Sequence, residues 1–348
     1  MLTIDGSHGE GGGQILRTAL SLAVALRRPV TVTRIRVRRP KPGLQPQHLT
    51  VVQALAAISG AQVEGDTLDS TELTFVPRTL HGGTYRFDVG AIKASAGSVS
   101  LLFQALLLPL VFAEAPSRLT LIGGTHVPWS PPVHYLTDAF LPALRRSGLQ
   151  ATLTLHRWGW YPRGGGEIQG RIAPSPELRG LRWEKRTAPE AISGISAVSR
   201  LPLSIAERQR QRALDRLTAR GVVADIALVE DDSALGPGTV LSLAASGPSS
   251  LGGASALGRR GLRAEAVADE AVERFLPYLE SEASVDDHLA DQLVPFLVLA
   301  REPSVFTCPI LSEHLRTVAW VVEQFLPARI ELIEGRPAGV RITPAQAT

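Results

Sequence analysis

The richest chemistry in the chain lies near its C-terminal end, in Cys308-Pro-Ile-Leu-Ser-Glu-His314-Leu-Arg-Thr317. Ser312 is a good helix N-cap. Apolar residues follow at Leu315, Val318, Val322 and Phe325, at helical spacing, before Pro327 closes the run. His314 then falls in the first turn. The positive end of a helix dipole keeps an imidazole neutral there and favours an incoming phosphate. A neutral imidazole is what nucleophilic attack requires. Taken alone, the segment also reads as an ordinary helix start that happens to carry a histidine.

Four further stretches carry groups of the same chemical kind. Gly9-Glu10-Gly-Gly-Gly13-Gln14-Ile-Leu-Arg17 places glycines before a helix, where backbone N–H groups can approach a phosphate. It has neither the Gly-Lys-Ser/Thr of a P-loop nor GxGxxG spacing. Glu10 within it suits a metal ion or a ribose hydroxyl. Arg34, Arg36, Arg38, Arg39 and Lys41 follow on a strand and its exit loop. Strand alternation would put Arg34, Arg36 and Arg38 on one face, a stripe fitted to an RNA end or a polyphosphate. The string His156-Arg-Trp-Gly159-Trp-Tyr-Pro162-Arg163-Gly-Gly-Gly166 needs unusual backbone angles. Asp286-Asp287-His288-Leu-Ala-Asp291-Gln292 opens another helix, with Asp287 and Asp291 on one face and His288 and Gln292 on the next. Such a start can hold Mg²⁺, a ribose or an adenine edge. Gln104 is an amide inside the apolar run Leu101–Pro109, and a buried amide requires a partner.

The composition narrows the classes these groups can serve. Of 348 residues, 44% are hydrophobic and 20% charged, as in a globular protein, and 5% aromatic content argues against a base-stacking sheet. A net charge of +3 allows a local nucleic-acid patch but not a basic coat. The single Cys308 excludes an internal disulfide framework and a cysteine-based zinc site. The apolar run Ser98–Ala113 contains Gln104 and Pro109 and is shorter than the roughly 20 residues of a membrane span. No secretory leader is apparent at Met1-Leu-Thr-Ile-Asp5, and the expected compartment is the cytoplasm.

Positioning these groups falls to a repeated pattern: a helix, a proline, a β-branched strand, then a second helix and another strand. It is read at Gly12–Leu26, Pro29–Arg36, Gln47–Ser59 and Gln62–Glu64, and again at Ser98–Phe112, Pro116–Gly123, Pro131–Ser147 and Gln150–Leu155. The third occurrence is Val285–Leu299, Pro303–Cys308, Ser312–Phe325 and Arg329–Ile333. Pro29 and Pro116 are 87 residues apart, whereas Pro116 and Pro303 are 187 apart, so about 100 residues are inserted before the third unit. The expected fold is α+β: three repeated units of two helices and several strands around a pseudo-threefold axis. The large domain would comprise residues 1–181 and 283–348, with a smaller α+β domain at 182–282. In that insert the pattern predicts strands Ile192–Ser199, Ala224–Glu230, Thr239–Ala244 and Ala254–Leu257, helices Ser204–Arg220 and Ala264–Leu279, and a loop at Ser246–Gly253.

Strings spread from residue 5 to residue 327 resemble RNA 3′-terminal phosphate cyclases. They are Asp5-Gly6 with Gly9–Arg17, Lys41-Pro-Gly-Leu44, Gln47-His48-Leu49, Gly123-Gly-Thr125 with Pro131-Pro132, and Tyr161-Pro162-Arg-Gly-Gly-Gly166. Ala290-Asp-Gln-Leu293 and His314-Leu through Pro327 complete the series. The resemblance implies an enzyme that uses ATP and Mg²⁺ or Mn²⁺ on RNA 3′-phosphate ends. A histidine matching His314 would attack the α-phosphorus of ATP, and the AMP would pass to the RNA 3′-phosphate. The vicinal 2′-hydroxyl would then close a 2′,3′-cyclic phosphate and release AMP. By the same match Gln104 and His288, Leu289, Ala290, Asp291 and Gln292 would bind nucleotide. Arg17, Arg38, Arg39 and Lys41 would meet RNA phosphate, and Glu10 would ligate the metal. His288 stands where relatives commonly carry an aromatic. The alternatives are a non-catalytic scaffold of the same fold, which lacks the histidine, and a carboxyvinyl transferase, which does not need it.

Overall fold

The computed structural model describes residues 1–186 and 191–344, and it is a mixed α+β structure of four four-stranded sheets with helices packed on them. The first segment runs β1 (Leu2–Asp5), α1 (Gly13–Ala25), β2 (Val30–Thr33), α2 (Pro46–Ser59), β3 (Gln62–Glu64) and β4 (Leu73–Val76). Its strands stand in the order β1-β2-β4-β3, the first pair parallel and the others antiparallel. The second runs β5 (Thr84–Asp88), α3 (Val99–Leu110) and β6 (Ser117–Gly123), then α4 (Val133–Tyr135), a π-helical turn (Leu136–Phe140) and α5 (Leu141–Arg146). It ends in β7 (Ala151–Arg157) and β8 (Gly166–Ile172). Its order, β5-β6-β8-β7, repeats the same pattern of one parallel pair followed by antiparallel ones.

After β9 (Arg182–Trp183) come β10 (Ala191–Ser199), α6 (Leu203–Thr218), β11 (Asp225–Asp231), β12 (Gly238–Gly247), β13 (Ser250–Leu257) and α7 (Ala264–Glu280). These four later strands form their own sheet, β11-β10-β12-β13. The chain ends with α8 (Asp287–Leu297), β14 (Ser304–Cys308), α9 (Glu313–Phe325), β15 (Arg329–Ile333) and β16 (Ala338–Thr343). Here β9 joins in, giving β9-β14-β16-β15, again parallel first and antiparallel after. One continuous apolar core runs under these three sheets, through residues such as Leu20, Val52, Phe103, Leu293 and Val321. A separate core, with Phe275 and Tyr278 at its centre, fills the β10–β13 unit. No helix of the described residues is long and apolar enough to cross a membrane.

Three local readings need correction. The arginine stripe is not on a strand: β2 ends at Thr33, and Arg34 and Arg36 take φ of +52° and +55°. The chain turns there because Gly6 lies against the backbone of residues 33–35 and the Ile35 side chain is drawn into the core. Arg34 pairs with Asp5, and the Arg36 Nη1 donates to the carbonyls of Lys41 and Gly43 at 2.7 and 2.9 Å. The small-residue run Ser246–Gly253 is a tight hairpin, because small side chains let β12 and β13 stay in register up to the Gly247–Ser250 pair. The predicted helix Pro131–Ser147 is wound as π through Leu136–Phe140, a local widening of the kind often found at functional sites.

Candidate active site

A cavity of about 1130 Å³ opens where α1, α3, α8 and α9 converge, closed on one side by the Pro128–Pro132 turn and on another by Gly253–Ser255 of β13. Its walls therefore come from all four sheet-bearing segments. Ser312 caps α9 through its side chain, which accepts from the Leu315 N–H at 3.1 Å, and this cap fixes His314 in the first turn. Against it lies the loop before α1. Gly9 and Gly11 take φ of +51° and +58°, and a side chain at Gly9 would strike the Thr317 hydroxyl. That close approach delivers Glu10 to His314: Nδ1 lies 2.9 Å from Glu10 Oε1. A carboxylate only accepts, so Nδ1 carries the proton, and in a neutral imidazole the lone pair is then on Nε2. Arg39 stands over the same carboxylate at 3.6 Å and donates to the Glu10 carbonyl at 3.1 Å.

The floor is more buried and more finely balanced. Gln14 Nε2 donates to Asp291 Oδ1 at 3.4 Å. Burial pushes the Asp291 carboxyl well above its usual range, with Asp286 and Asp287 adding to the rise and Arg17 opposing it. Burial also lowers Arg17 to about 10, which leaves it a cation at neutral pH. His48 is held down to about 3 by burial first, then by Arg36 and Arg17. Its Nδ1 accepts from the Gln45 N–H at 3.2 Å, so the Nε2–H faces the cavity beside Gly13. Gln104 Nε2 donates to Gln292 Oε1 at 2.6 Å, joining α3 to α8 across the cavity. Asp286 caps α8, accepting from the His288 and Leu289 N–H groups, the Gly253 N–H and the Tyr135 hydroxyl, all at 2.9 Å.

The cavity brings together His314, Glu10, Arg17, Arg39, Gln104, His288, Asp291 and Gln292. It does not include Leu289 or Ala290, which α8 turns fully into the core, nor Arg38 and Lys41, which stay exposed outside its wall. Gln14, His48 and Tyr135, to which the sequence assigned no role, line it as well, as does Arg36 of the predicted arginine stripe. So does Thr317, whose buried hydroxyl has no hydrogen-bond partner among the described residues and lies one turn after His314. The i, i+3 spacing from His314 was the available signal for Thr317.

What the arrangement can do is bind an anion and attack it. A histidine, the Arg17, Arg36, Arg39 and Arg274 cations and several amide donors converge on one space, and the Asp291 carboxyl there is pushed toward neutrality. The model of the RNA 3′-terminal phosphate cyclase family matches residues 8–332. A protein named RNA 3′-terminal phosphate cyclase from Gloeothece citriformis is 43% identical over 95% of each chain. Proteins of the same name from Archaeoglobus fulgidus (43% identical, over 94% of this chain and 96% of that one) and Methylococcus capsulatus (43%, over 98% of each) agree along nearly their whole lengths. The chain therefore belongs to the RNA 3′-terminal phosphate cyclase family of enzymes.

Proposed function

We propose that this enzyme converts an RNA 3′-phosphate end to a 2′,3′-cyclic phosphate at the expense of ATP. The observation that carries the reading is the His314–Glu10 hydrogen bond, which occupies Nδ1 and leaves Nε2 as the attacking nitrogen in an arginine-lined cavity. In the first step His314 Nε2 attacks the α-phosphorus of ATP, a P–N bond forms and pyrophosphate leaves. In the second, an oxygen of the RNA 3′-phosphate attacks the same phosphorus, breaking the P–N bond and freeing His314. In the third, the 2′-hydroxyl attacks the 3′-phosphorus and AMP leaves. Adenylylation is needed because a phosphate monoester offers only an oxide as leaving group, and the covalent intermediate divides a hard step into easier ones.

Arg17, Arg36 and Arg39 would offset charge on the phosphates. Gln104, Asp291 and Gln292 line the wall where a nucleoside would sit, with His288 at its rim. Glu10 suits Mg²⁺ or Mn²⁺, since such ions bind through one or two carboxylates together with substrate phosphates. Among the described residues no cluster of three or more acidic, histidine or cysteine side chains would hold a metal without substrate. The ion would neutralise phosphate charge when bound. The recurrence of one strand order in three sheets, with β10–β13 standing apart between β9 and α8, supports three repeats around a pseudo-threefold axis interrupted by an inserted domain.

The test is incubation with ATP labelled at the α-phosphate, with divalent metal and without RNA. Acid-labile label should appear on the wild-type protein and be absent from His314→Ala. Label-free wild-type protein that still makes cyclic ends would rule out the histidine route.

A further inference from the structure

A second groove, of about 950 Å³, runs along the end of the β5-β6-β8-β7 sheet beside Arg145 of α5. Arg118, Arg145 and Arg171 line it, together with Thr84 and Thr152, and no Asp or Glu does. Arg118 and Arg171 are register partners across β6 and β8, so their side chains rise side by side from the same face. Thr84 and Thr152 flank them on β5 and β7, completing a row of hydroxyl, cation, cation, hydroxyl across the sheet. Directly opposed like charges destabilise a sheet. Among the described residues none of the three arginines forms an ion pair that would relieve the repulsion.

The two sheets of the same strand order supply an internal comparison. The equivalent row of the first is Thr3, Thr31, Thr74 and Glu64, without a cation. That of the third is Arg182, Val305, Arg341 and Glu331, where Glu331 sits 3.5 Å from Arg341. Fold geometry alone therefore does not call for adjacent unpaired arginines at this row. An anionic ligand would offset their repulsion.

We infer that the groove binds the phosphodiester backbone of the RNA substrate, upstream of the reacting end. This rests on the RNA reading above. β6 leads from Ser117 at the groove to Gly123, just before the turn that walls the cavity. At about 3.3 Å per residue its seven residues put the groove on the order of 20 Å from that end, so only an RNA several nucleotides long would span both. The arginines supply point charges and forked donors for phosphate oxygens, and the flanking hydroxyls supply further donors. Neither reads base identity.

The double variant Arg118→Gln/Arg171→Gln tests the assignment, because both side chains are exposed and neither takes part in the chemistry proposed for the cavity. Binding of a long single-stranded RNA ending in a 3′-phosphate is measured against salt, beside ATP-dependent labelling of the protein and cyclisation of a dinucleotide 3′-phosphate. The slope of log affinity against log salt should fall by about 1.4, at roughly 0.7 per phosphate contact for a single strand. Labelling and dinucleotide cyclisation should hold at wild-type levels, and Arg118→Lys/Arg171→Lys should keep most of the slope. Equal slopes and affinities for wild type and the glutamine variant, with cyclic product still formed, would overturn the groove and leave the RNA reading standing. Inorganic phosphate that binds the wild type and not the variant, while RNA binds both alike, would make this a free-anion site and overturn the RNA assignment. A wild-type protein that makes no cyclic product refutes the RNA reading itself, and the groove assignment falls with it.

Discussion

His314 and Glu10 are 304 residues apart in the chain and 2.9 Å apart in space. The carboxylate holds the imidazole by Nδ1 and so decides which nitrogen is free to react. Glu10→Gln keeps an acceptor oxygen for the Nδ1–H but loses the charge that stabilises a positive imidazole. Glu10→Ala loses both. Formation of the protein–nucleotide adduct should slow by about a hundredfold or more in both, since the Gln amide can also donate to Nδ1 and hold the wrong tautomer, which can cost as much as ~10⁴. Single-turnover labelling at saturating ATP checks this, and equal rates in the alanine variant would show that Glu10 does not orient His314.

Thr317 carries a stability cost in the cavity wall. Its buried hydroxyl has no partner among the described residues, and such a group costs about 1 to 3 kcal/mol. Thr317→Val preserves the shape and removes the cost. The expected outcome is a higher melting temperature together with weaker transfer of AMP to the protein. A lowered melting temperature would mean that the hydroxyl is satisfied in solution.

Gly13→Ala should damage the site more than the fold. The added methyl would lie 2.4 Å from His48 Nε2 and 3.0 Å from Arg17 Nη1, both in the cavity wall. Arg17 can swing aside, but His48 is held by the Gln45 backbone. Adduct formation should fall by at least tenfold with a small change in melting temperature. Unchanged labelling would show that His48 and Arg17 move without consequence.

Acid should destabilise the protein before most of its carboxylates titrate. Burial lowers His48 to about 3 and His134 to about 4, and holds His126 well below 6.5. His126 and His134 meet at 2.9 Å, and His126 stacks on Trp158 at 4.4 Å. In the unfolded chain each of these histidines takes up a proton near 6.5, whereas the folded protein refuses it. Stability is therefore full above about pH 6.5 and is lost progressively as pH falls toward 4. Melting temperatures measured across that window should show the decline, and His134→Gln, neutral at every pH, should make it shallower. A flat profile would mean that the histidines protonate without leaving the fold.

Much of this was legible in the residues themselves. Helix ends followed from local chemistry at Ser312, read as the cap of α9 and found there, whereas Asp286 and Ser98, read as helical residues, also prove to be caps of α8 and α3. Periodicity likewise marked Gln104 as the amide on an apolar helix, and the helix places it against Gln292. The sequence by itself thus determined which helices form, where they begin and which carry reactive groups. Tertiary structure decided the rest. The bend after Thr33 that sends Arg36 and Arg39 into the cavity depends on the close approach of Gly6 to residues 33–35, a contact no local propensity encodes. The same holds for the facing of α8, which buries Leu289 and Ala290 while presenting Asp291 and Gln292. Glu10 becomes the partner of His314 only because the first and last helices of the chain pack together, and a hydrogen bond across 304 residues is set by that packing, not by spacing.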